Sequence, residues 1–238
     1  MKPYSVCQKL IISGSVIEHF CYEKPYWVGF PRFVSNKARF AHFRLSRPQE
    51  VIREDNVKRT RQRIRRLVNC NSDLTKFLTL TFASNICDIA QANTFFNQFI
   101  KRLSRLYPNL KYLAIPEYQK RGAVHYHILL NLPFVPVKDL ENIWGLGFIF
   151  INRIENVDNV GAYVCKYLGK ENFDSRFFHK KKFFRSSNLL LPVVVDNFRD
   201  VLSFLSYFSP ISMLQKFSFS FFTKWLGVVQ YNQYWVYD

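Results

Sequence analysis

The stretch PEYQKRGAVHYHILL, residues 116–130, contains two segments rich in apolar residues on either side of the polar sequence QKRG. Gly122, at the end of that polar sequence, can adopt the backbone conformations that a tight turn needs. The stretch therefore predicts a β-hairpin whose strands cover residues 111–118 and 123–131. Because successive side chains of a strand point to opposite faces, this hairpin also predicts which residues share a face.

Two histidines lie on the same face of the second predicted strand. His125 and His127 are two residues apart, and Tyr126 between them points to the opposite face. A turn centred on Arg121 places Glu117 directly opposite His125. The hairpin therefore predicts two imidazoles and one carboxylate on one face.

This group of side chains has more than one interpretation. Two imidazoles and a carboxylate can bind a divalent metal ion and leave positions open for a substrate. That donor set is compatible with Mn²⁺, and Mg²⁺ could also occupy it. Alternatively, His125 and His127 are partly exposed histidines without a ligand, and Glu117 is a surface carboxylate that pairs with Lys120 or Arg121.

The segments around the hairpin predict an α+β fold. Asp88 is a candidate helix cap, and Pro108 ends the helix that follows it. The order of strands and helices matches the β-α-β-β-α-β pattern of a ferredoxin-like (RRM-like) antiparallel sheet, with helices on one face and the other face open for a ligand. Besides the hairpin, the predicted elements are a basic helix over 54–68, a strand over 76–83, a helix from Asp88, a helix over 136–144, a strand over 148–154 and a helix over 158–171.

The composition indicates a packed protein with a polyanionic partner. Of 238 residues, 48% are apolar and 21% are charged, and the formal net charge is +17. Such a charge favours nucleic acid as the partner, with an anionic membrane surface as the second possibility. The cations are clustered within REDNVKRTRQRIRRL, residues 53–67, where they are Lys58, Arg59, Arg61, Arg63, Arg65 and Arg66.

Cysteines and apolar runs indicate where the protein resides. The five cysteines are scattered and form no CxxC pair, which favours a reducing environment over a disulfide framework or a zinc knuckle. The most membrane-like segment, residues 201–215, is interrupted by Pro210 and is shorter than the roughly 20 residues that a spanning helix needs. We therefore expect a cytoplasmic protein, in the interior of a host cell, with no membrane partner.

A doubled YxxK pattern follows the hairpin. In YVCKYLGK, residues 163–170, Tyr163 and Tyr167 are four residues apart and share a helical face, and each is followed three residues later by a lysine, Lys166 or Lys170. A tyrosine hydroxyl has a pKa of about 10, so a nearby cation that stabilises the phenolate helps it to act as a nucleophile. The alternative is an amphipathic helix with tyrosines in its apolar stripe.

Three of these stretches together resemble a known superfamily. FLTLTF at 77–82, PEYQKRGAVHYHILL at 116–130 and NVGAYVCKYLGK at 159–170 are similar, in this order, to the three motifs of the HUH endonucleases. More narrowly, the chain resembles the rolling-circle replication initiators (Rep proteins) of small phages and plasmids. The resemblance covers about residues 53–192, as a Rep endonuclease domain. The N-terminal residues 1–52 and the aromatic-rich residues 193–238 are left without an assigned role.

The resemblance implies a reaction and a role for each site residue. His125 and His127, with Glu117 as third ligand, would bind a divalent ion, Mn²⁺ or Mg²⁺. Tyr163 would be the primary nucleophile, and Tyr167 would be a second nucleophile or, if only one tyrosine reacts, an aromatic that contacts the DNA. The lysine after each would stabilise charge at the scissile phosphate or help to position the metal-bound state. The implied enzyme is a metal-dependent DNA nickase and strand transferase, which cuts single-stranded origin DNA and leaves a 5′-phosphotyrosine and a free 3′-hydroxyl. The lysines are Lys166 and Lys170.

Other functions remain open from the sequence. An HUH transposase would carry similar motifs, and a noncatalytic nucleic-acid-binding module could use the same sheet without them. No GxxxxGK[ST] motif is present, so a helicase and a DNA polymerase of the host are the expected partners of an initiator. The sequence does not indicate an oligomeric state.

Overall fold

The structure is a computed structural model that describes residues 3–29, 49–154, 176, 180–207 and 213–236. The chain forms two compact units. One is bounded by Arg53–Leu190, and the other combines the two ends of the chain, Met1–Ile52 with Leu191–Asp238. We refer to the second as the terminal unit.

The described residues contain ten strands and four helices. In chain order these are β1 (Tyr4–Ser13), β2 (Val16–Val28), α1 (Gln49–Asn69), β3 (Lys76–Phe82), α2 (Ile89–Leu106), β4 (Tyr112–Tyr118), β5 (Val124–Leu130), α3 (Val137–Trp144), β6 (Gly147–Arg153), β7 (Phe184–Arg185), β8 (Val193–Val195), α4 (Phe198–Tyr207), β9 (Met213–Thr223) and β10 (Gly227–Val236).

The sheet of the Arg53–Leu190 unit has the order β6-β3-β5-β4-β7, and its neighbouring strands are antiparallel. With β3, α2, β4, β5, α3 and β6 taken as the six elements of a β-α-β-β-α-β motif, the first and third strands lie in the centre and the other two flank them. This is the ferredoxin-like arrangement, extended by the short strand β7 next to β4. The predicted α+β fold class is confirmed.

Helices α2 and α3 pack on one face of this sheet. Asp88 caps α2 as predicted, since its carboxylate accepts hydrogen bonds from the backbone N–H groups of Ala90 and Gln91. On the buried side of α2, the ring of Phe96 stacks on the ring of Tyr126 with a centroid distance of 4.5 Å. The Tyr126 hydroxyl donates to Asn93 Oδ1 at 2.8 Å. The strand that carries both histidines is therefore held from behind by a close-packed core.

Helix α1 packs against the opposite face of the same sheet. Its sparse apolar side, formed by Ile64, Leu67 and Val68, is buried in a cluster with strand residues that include Phe77 and Leu129. The two helices of the motif thus lie on one face as expected, but the other face, expected to be open, is partly covered by α1.

The terminal unit is built on a second antiparallel sheet with the order β8-β1-β2-β10-β9. It pairs strands from the N-terminal 28 residues with strands from the C-terminal region. Helix α4 contributes Val201 to a small core that also contains Leu10 and Ile17. None of the helices in the described part of the chain is long and apolar enough to cross a membrane.

Candidate functional site

The turn between β4 and β5 sets the register of the hairpin. Gln119 N–H donates to the carbonyl of Ala123 at 2.8 Å, and Gly122 N–H donates to the carbonyl of Gln119 at 2.8 Å. Gly122 has φ +88°, a left-handed conformation that side chains disfavour. This turn makes Glu117 the direct partner of His125, as the sequence predicts.

The histidines occupy two adjacent rows across the sheet. In one row Thr81 on β3 pairs with His125 on β5, and His125 pairs with Glu117 on β4. In the next row Thr79 pairs with His127. Directly paired residues lie on the same face of a sheet, so these side chains share the face opposite to Tyr126.

His127 is held by contacts on both ring nitrogens. Its Nε2 contacts Oε2 of Glu117, and its Nδ1 lies 3.2 Å from the hydroxyl oxygen of Thr79. The ring also stacks against Phe77, with a centroid distance of 5.6 Å. Both polar contacts are satisfied when the proton is on Nε2, which donates to the carboxylate while Nδ1 accepts from the hydroxyl. These contacts fix the orientation of the ring.

His125 differs from His127 because it is buried and has an unsatisfied nitrogen. The residue is 7% exposed, and its Nε2 has no hydrogen-bond partner within the described ranges. Burial lowers the pKa of His125 to about 4, with smaller contributions in the same direction from His127 and Arg121, while Glu117 opposes the shift. The imidazole is therefore neutral near pH 7, which is the form that binds metal ions.

An open cleft of about 620 Å³ lies over these residues. Two cationic residues of the hairpin turn line it together with the histidines: Lys120, which is exposed, and Arg121, which donates to Gln119 Oε1 at 2.9 Å and to the carbonyl of Phe82 at 3.2 Å. The alternative interpretation of Glu117, as a surface partner of Lys120 or Arg121, does not describe the contact found, because Glu117 meets His127. The cleft therefore combines two imidazoles, a carboxylate and two cations.

The donor set of this cleft fits a divalent ion in its chemistry. Within the described ranges, no group of three or more His, Cys, Asp or Glu side chains is already arranged to hold a metal ion. Yet Glu117, His125 and His127 share one face, and the buried His125 Nε2 has no hydrogen-bond partner among the described residues. An unpaired buried nitrogen is costly unless something binds it. Metal binding by these three residues stays a prediction.

The doubled YxxK motif lies outside the described residues. Its four members are Tyr163, Lys166, Tyr167 and Lys170.

A second, basic cleft of about 520 Å³ lies between α1 and β7. Arg63 is the member of the predicted cation cluster on α1 that lines it, and its guanidinium carbon lies 5.5 Å from the ring centroid of Phe183. Among the described residues its lining contains no acidic side chain; the residues are Thr60, Arg63, Lys181, Lys182, Phe183, Arg185, Ser186 and Ser187. The sequence does not predict that these cations meet in one cleft, although KKKFFR at 180–185 is a visible run of positive charge.

Comparison with known families identifies one match. Residues 75–172 match the family described as replication-associated protein ORF2. This segment begins just before β3, includes the β4–β5 hairpin and extends through the YxxK motif. The match confirms the predicted resemblance to replication-associated proteins, and it supports a role in replication and an interaction with DNA. No curated protein and no solved structure matches the chain.

Proposed function

We propose that this chain is a replication initiator that nicks and rejoins single-stranded DNA at an origin, by a tyrosine transesterification assisted by a divalent metal ion. The observation that carries the proposal is the pairing of Glu117 with His125, beside His127, on one face of a hairpin inside the segment that matches a replication-associated family. A noncatalytic binding module would have no need for this set of donors at the floor of a cationic cleft.

The hairpin residues would bind the scissile phosphate through the ion. Glu117, His125 and His127 would hold Mn²⁺ or Mg²⁺, and a bound ion withdraws negative charge from a phosphate. Thr79 keeps the His127 ring in one orientation through its hydroxyl, as an outer hydrogen-bond partner of a metal ligand does. Lys120 and Arg121, which line the same cleft, add positive charge for the phosphate.

The sequence motif at 163–170 would supply the nucleophiles. The hydroxyl oxygen of Tyr163 forms a bond to phosphorus while the bond between phosphorus and the 3′ oxygen breaks. The tyrosine gives up its hydroxyl proton, and the leaving 3′ oxygen takes up a proton to become a 3′-hydroxyl. Lys166 stabilises the phenolate. Because one phosphodiester replaces another, the reverse reaction can rejoin the strand, and Tyr167 with Lys170 would serve a second transfer.

The rest of the Arg53–Leu190 unit would bind the DNA backbone. The described lining of the cleft between α1 and β7 contains four cations and three hydroxyl side chains, and such groups contact phosphate oxygens. The formal charge of +17 adds a longer-range attraction that depends steeply on salt. A helicase and a DNA polymerase of the host would then unwind the duplex and extend the free 3′-hydroxyl.

The reaction can be tested without knowledge of the origin sequence. The protein is incubated with Mn²⁺ and a pool of single-stranded oligonucleotides, and protein-linked 5′ ends are isolated and sequenced. We expect covalent adducts that Tyr163→Phe reduces strongly and that Tyr163→Phe with Tyr167→Phe abolishes. Tyr207→Phe, which changes an exposed tyrosine on α4, is the matched control and should retain the adducts. Undiminished nicking by the double variant would show that the nucleophile is a different residue.

A further inference from the structure

Strand β6 exposes two aromatic rings at the edge of the ferredoxin-like sheet. Phe148 is 68% exposed and Phe150 is 61% exposed, whereas Ile149 between them is buried in the core beneath α2 and α3. A single exposed apolar ring is ordinary on a protein surface, but two exposed rings in one line form a small apolar patch of the kind that can mark an interaction site. Burial in the core explains why residue 149 is apolar, but it does not explain why the two exposed positions carry phenylalanine.

The strand register places both rings on the face that carries the candidate metal ligands. Phe148 pairs with Thr81, which pairs with His125, and Phe150 pairs with Thr79, which pairs with His127. Each row thus runs from an exposed phenylalanine over a threonine to a histidine. Two inter-strand spacings separate β6 from β5, so the rings lie about 9.6 Å from the histidines in the plane of the sheet.

The spacing between the rings suits unpaired bases. Two residues along a strand span about 6.6 Å, whereas bases that stack on one another lie about 3.4 Å apart. Two neighbouring bases could therefore stack on the two rings only when the bases are not stacked on each other, as in an extended single strand. The threonines between the rings and the histidines, Thr79 and Thr81, are small and polar.

We propose that Phe148 and Phe150 form a stacking platform on which bases of single-stranded DNA bind next to the scissile phosphate. This inference rests on the proposed function, since it uses the histidine cleft as the place where the phosphate lies. Single-stranded nucleic acid is the occupant that the charge favours, because a polyanion matches the net charge of +17 and the cations Lys120 and Arg121 in the neighbouring cleft. The platform would set the distance between bound bases and the site of cleavage.

The experiment measures binding rather than cleavage. Fluorescence anisotropy with a labelled oligothymidylate, at fixed salt and without added metal, is compared for wild type, Phe148→Ala, Phe150→Ala and the double variant. Loss of one base–aromatic stack should weaken binding at least about fivefold for each ring. Phe148→Trp should retain wild-type affinity, because tryptophan also offers a ring for stacking. Phe148→Leu keeps an apolar side chain but lacks a π face, so it should bind as weakly as Phe148→Ala. Phe134→Ala, at an 86% exposed ring outside the sheet, is the matched control and should bind as wild type does.

An oligomer of abasic sugar-phosphate units separates stacking from charge. Wild type and the phenylalanine variants should bind it equally, because it offers phosphates but no bases. The platform would be overturned if all variants bound oligothymidylate as tightly as the wild type does. It would also be overturned if the variants lost as much affinity for the abasic oligomer as for oligothymidylate. A loss of affinity accompanied by a lowered thermal midpoint in both Phe148→Ala and Phe148→Leu would also overturn it, since the rings would then serve the fold. Nicking by the wild type is scored separately, so a failure of the proposed reaction is distinguishable from a failure of the platform.

Discussion

Glu117 and His125 are direct partners across the β4–β5 hairpin, and the carboxylate of Glu117 reaches diagonally to Nε2 of His127. One carboxylate therefore lies beside two imidazoles. The ring of His127 is held by a hydroxyl, and the buried ring of His125 has a nitrogen without a hydrogen-bond partner in the part of the chain that the structure describes. The hydrogen-bonded pair of Glu117 and His127 and the Nε2 of His125, a nitrogen that could bind a metal ion, thus lie in one cleft. It is the geometric basis of the predictions about the metal ion.

Removing any of the three proposed ligands should weaken metal binding. We expect Glu117→Ala, His125→Ala and His127→Ala each to lower the affinity for Mn²⁺ at least about tenfold, because each removes one of three protein donors. Isothermal titration calorimetry with Mn²⁺ measures this directly, and nicking in the presence of excess EDTA should be lost in the wild type. Glu54→Gln, which changes an exposed carboxylate on α1, is the control. Wild-type Mn²⁺ affinity in all three alanine variants would refute the assignment.

The hairpin turn should be sensitive to a side chain at Gly122. Its φ of +88° is strained for alanine, while the space around an added Cβ is ordinary, with Cys87 Sγ at 3.5 Å. Gly122→Ala should therefore lower the free energy of unfolding by about 1–2 kcal/mol through backbone strain. Gly122→Asn should cost less, because asparagine tolerates left-handed conformations better.

Chemical denaturation followed by circular dichroism measures both Gly122 variants. If alanine and asparagine destabilise the protein equally, strain at the turn is not the cause. Because the turn sets the register, the alanine variant should also bind Mn²⁺ more weakly than the asparagine variant.

The basic cleft should control the salt dependence of DNA binding. Arg63→Ala and Lys181→Ala each remove one cation from its lining, so each should reduce the slope of log K against log salt concentration by about 1. The effect should be the same for oligonucleotides of different sequence, since phosphates carry no sequence information. Lys138→Ala, at an exposed lysine on α3, is the matched control. An unchanged slope in both cleft variants would show that this cleft does not contact the DNA backbone.

The terminal unit should lose stability in mild acid through His19. This residue is 8% exposed, its Nε2 lies 3.1 Å from Gln8 Oε1, and burial lowers its pKa below the ordinary value. The unfolded state therefore binds more protons than the folded state as the pH falls through about 6.5, and the free energy of unfolding decreases. The slope due to one such histidine cannot exceed about 1.4 kcal/mol per pH unit.

Replacing His19 should reduce that acid sensitivity. Denaturation of wild type and His19→Gln is compared at pH 7.5 and pH 5.5. The wild type should lose more stability between the two values than the variant, although His125, whose pKa is also lowered, contributes acid sensitivity to both proteins. Equal losses would show that His19 is not the residue responsible.

Much of the ferredoxin-like unit was predictable because its signals are local. The hairpin strands, expected at 111–118 and 123–131, are observed as Tyr112–Tyr118 and Val124–Leu130. The cap at Asp88 and the pairing of Glu117 with His125 depend on residues within a few positions of each other. A turn of known length fixes a register, so a short stretch suffices to predict which side chains share a face.

The features that could not be predicted from the sequence depend on residues far apart along the chain. The basic cleft joins Arg63 to Lys181 and Arg185, and the terminal sheet pairs β2 with β10. The sequence predicts the basic helix over 54–68, but it does not predict the sheet face that α1 covers. No local periodicity encodes such contacts, because they are decided by which buried surfaces fit together.

The sequence by itself determined the order of strands and helices from α1 to β6, the common face of Glu117, His125 and His127, and the excess of positive charge. Each follows from backbone geometry over neighbouring residues or from composition. Only the tertiary structure decided that His125 is buried with a nitrogen that has no partner within the described ranges, and that α1 covers part of the sheet face opposite α2 and α3. It also decided that Phe148 and Phe150, two strands away from the histidines, are exposed. Burial and exposure are set by what packs against a residue, and packing is a property of the whole fold.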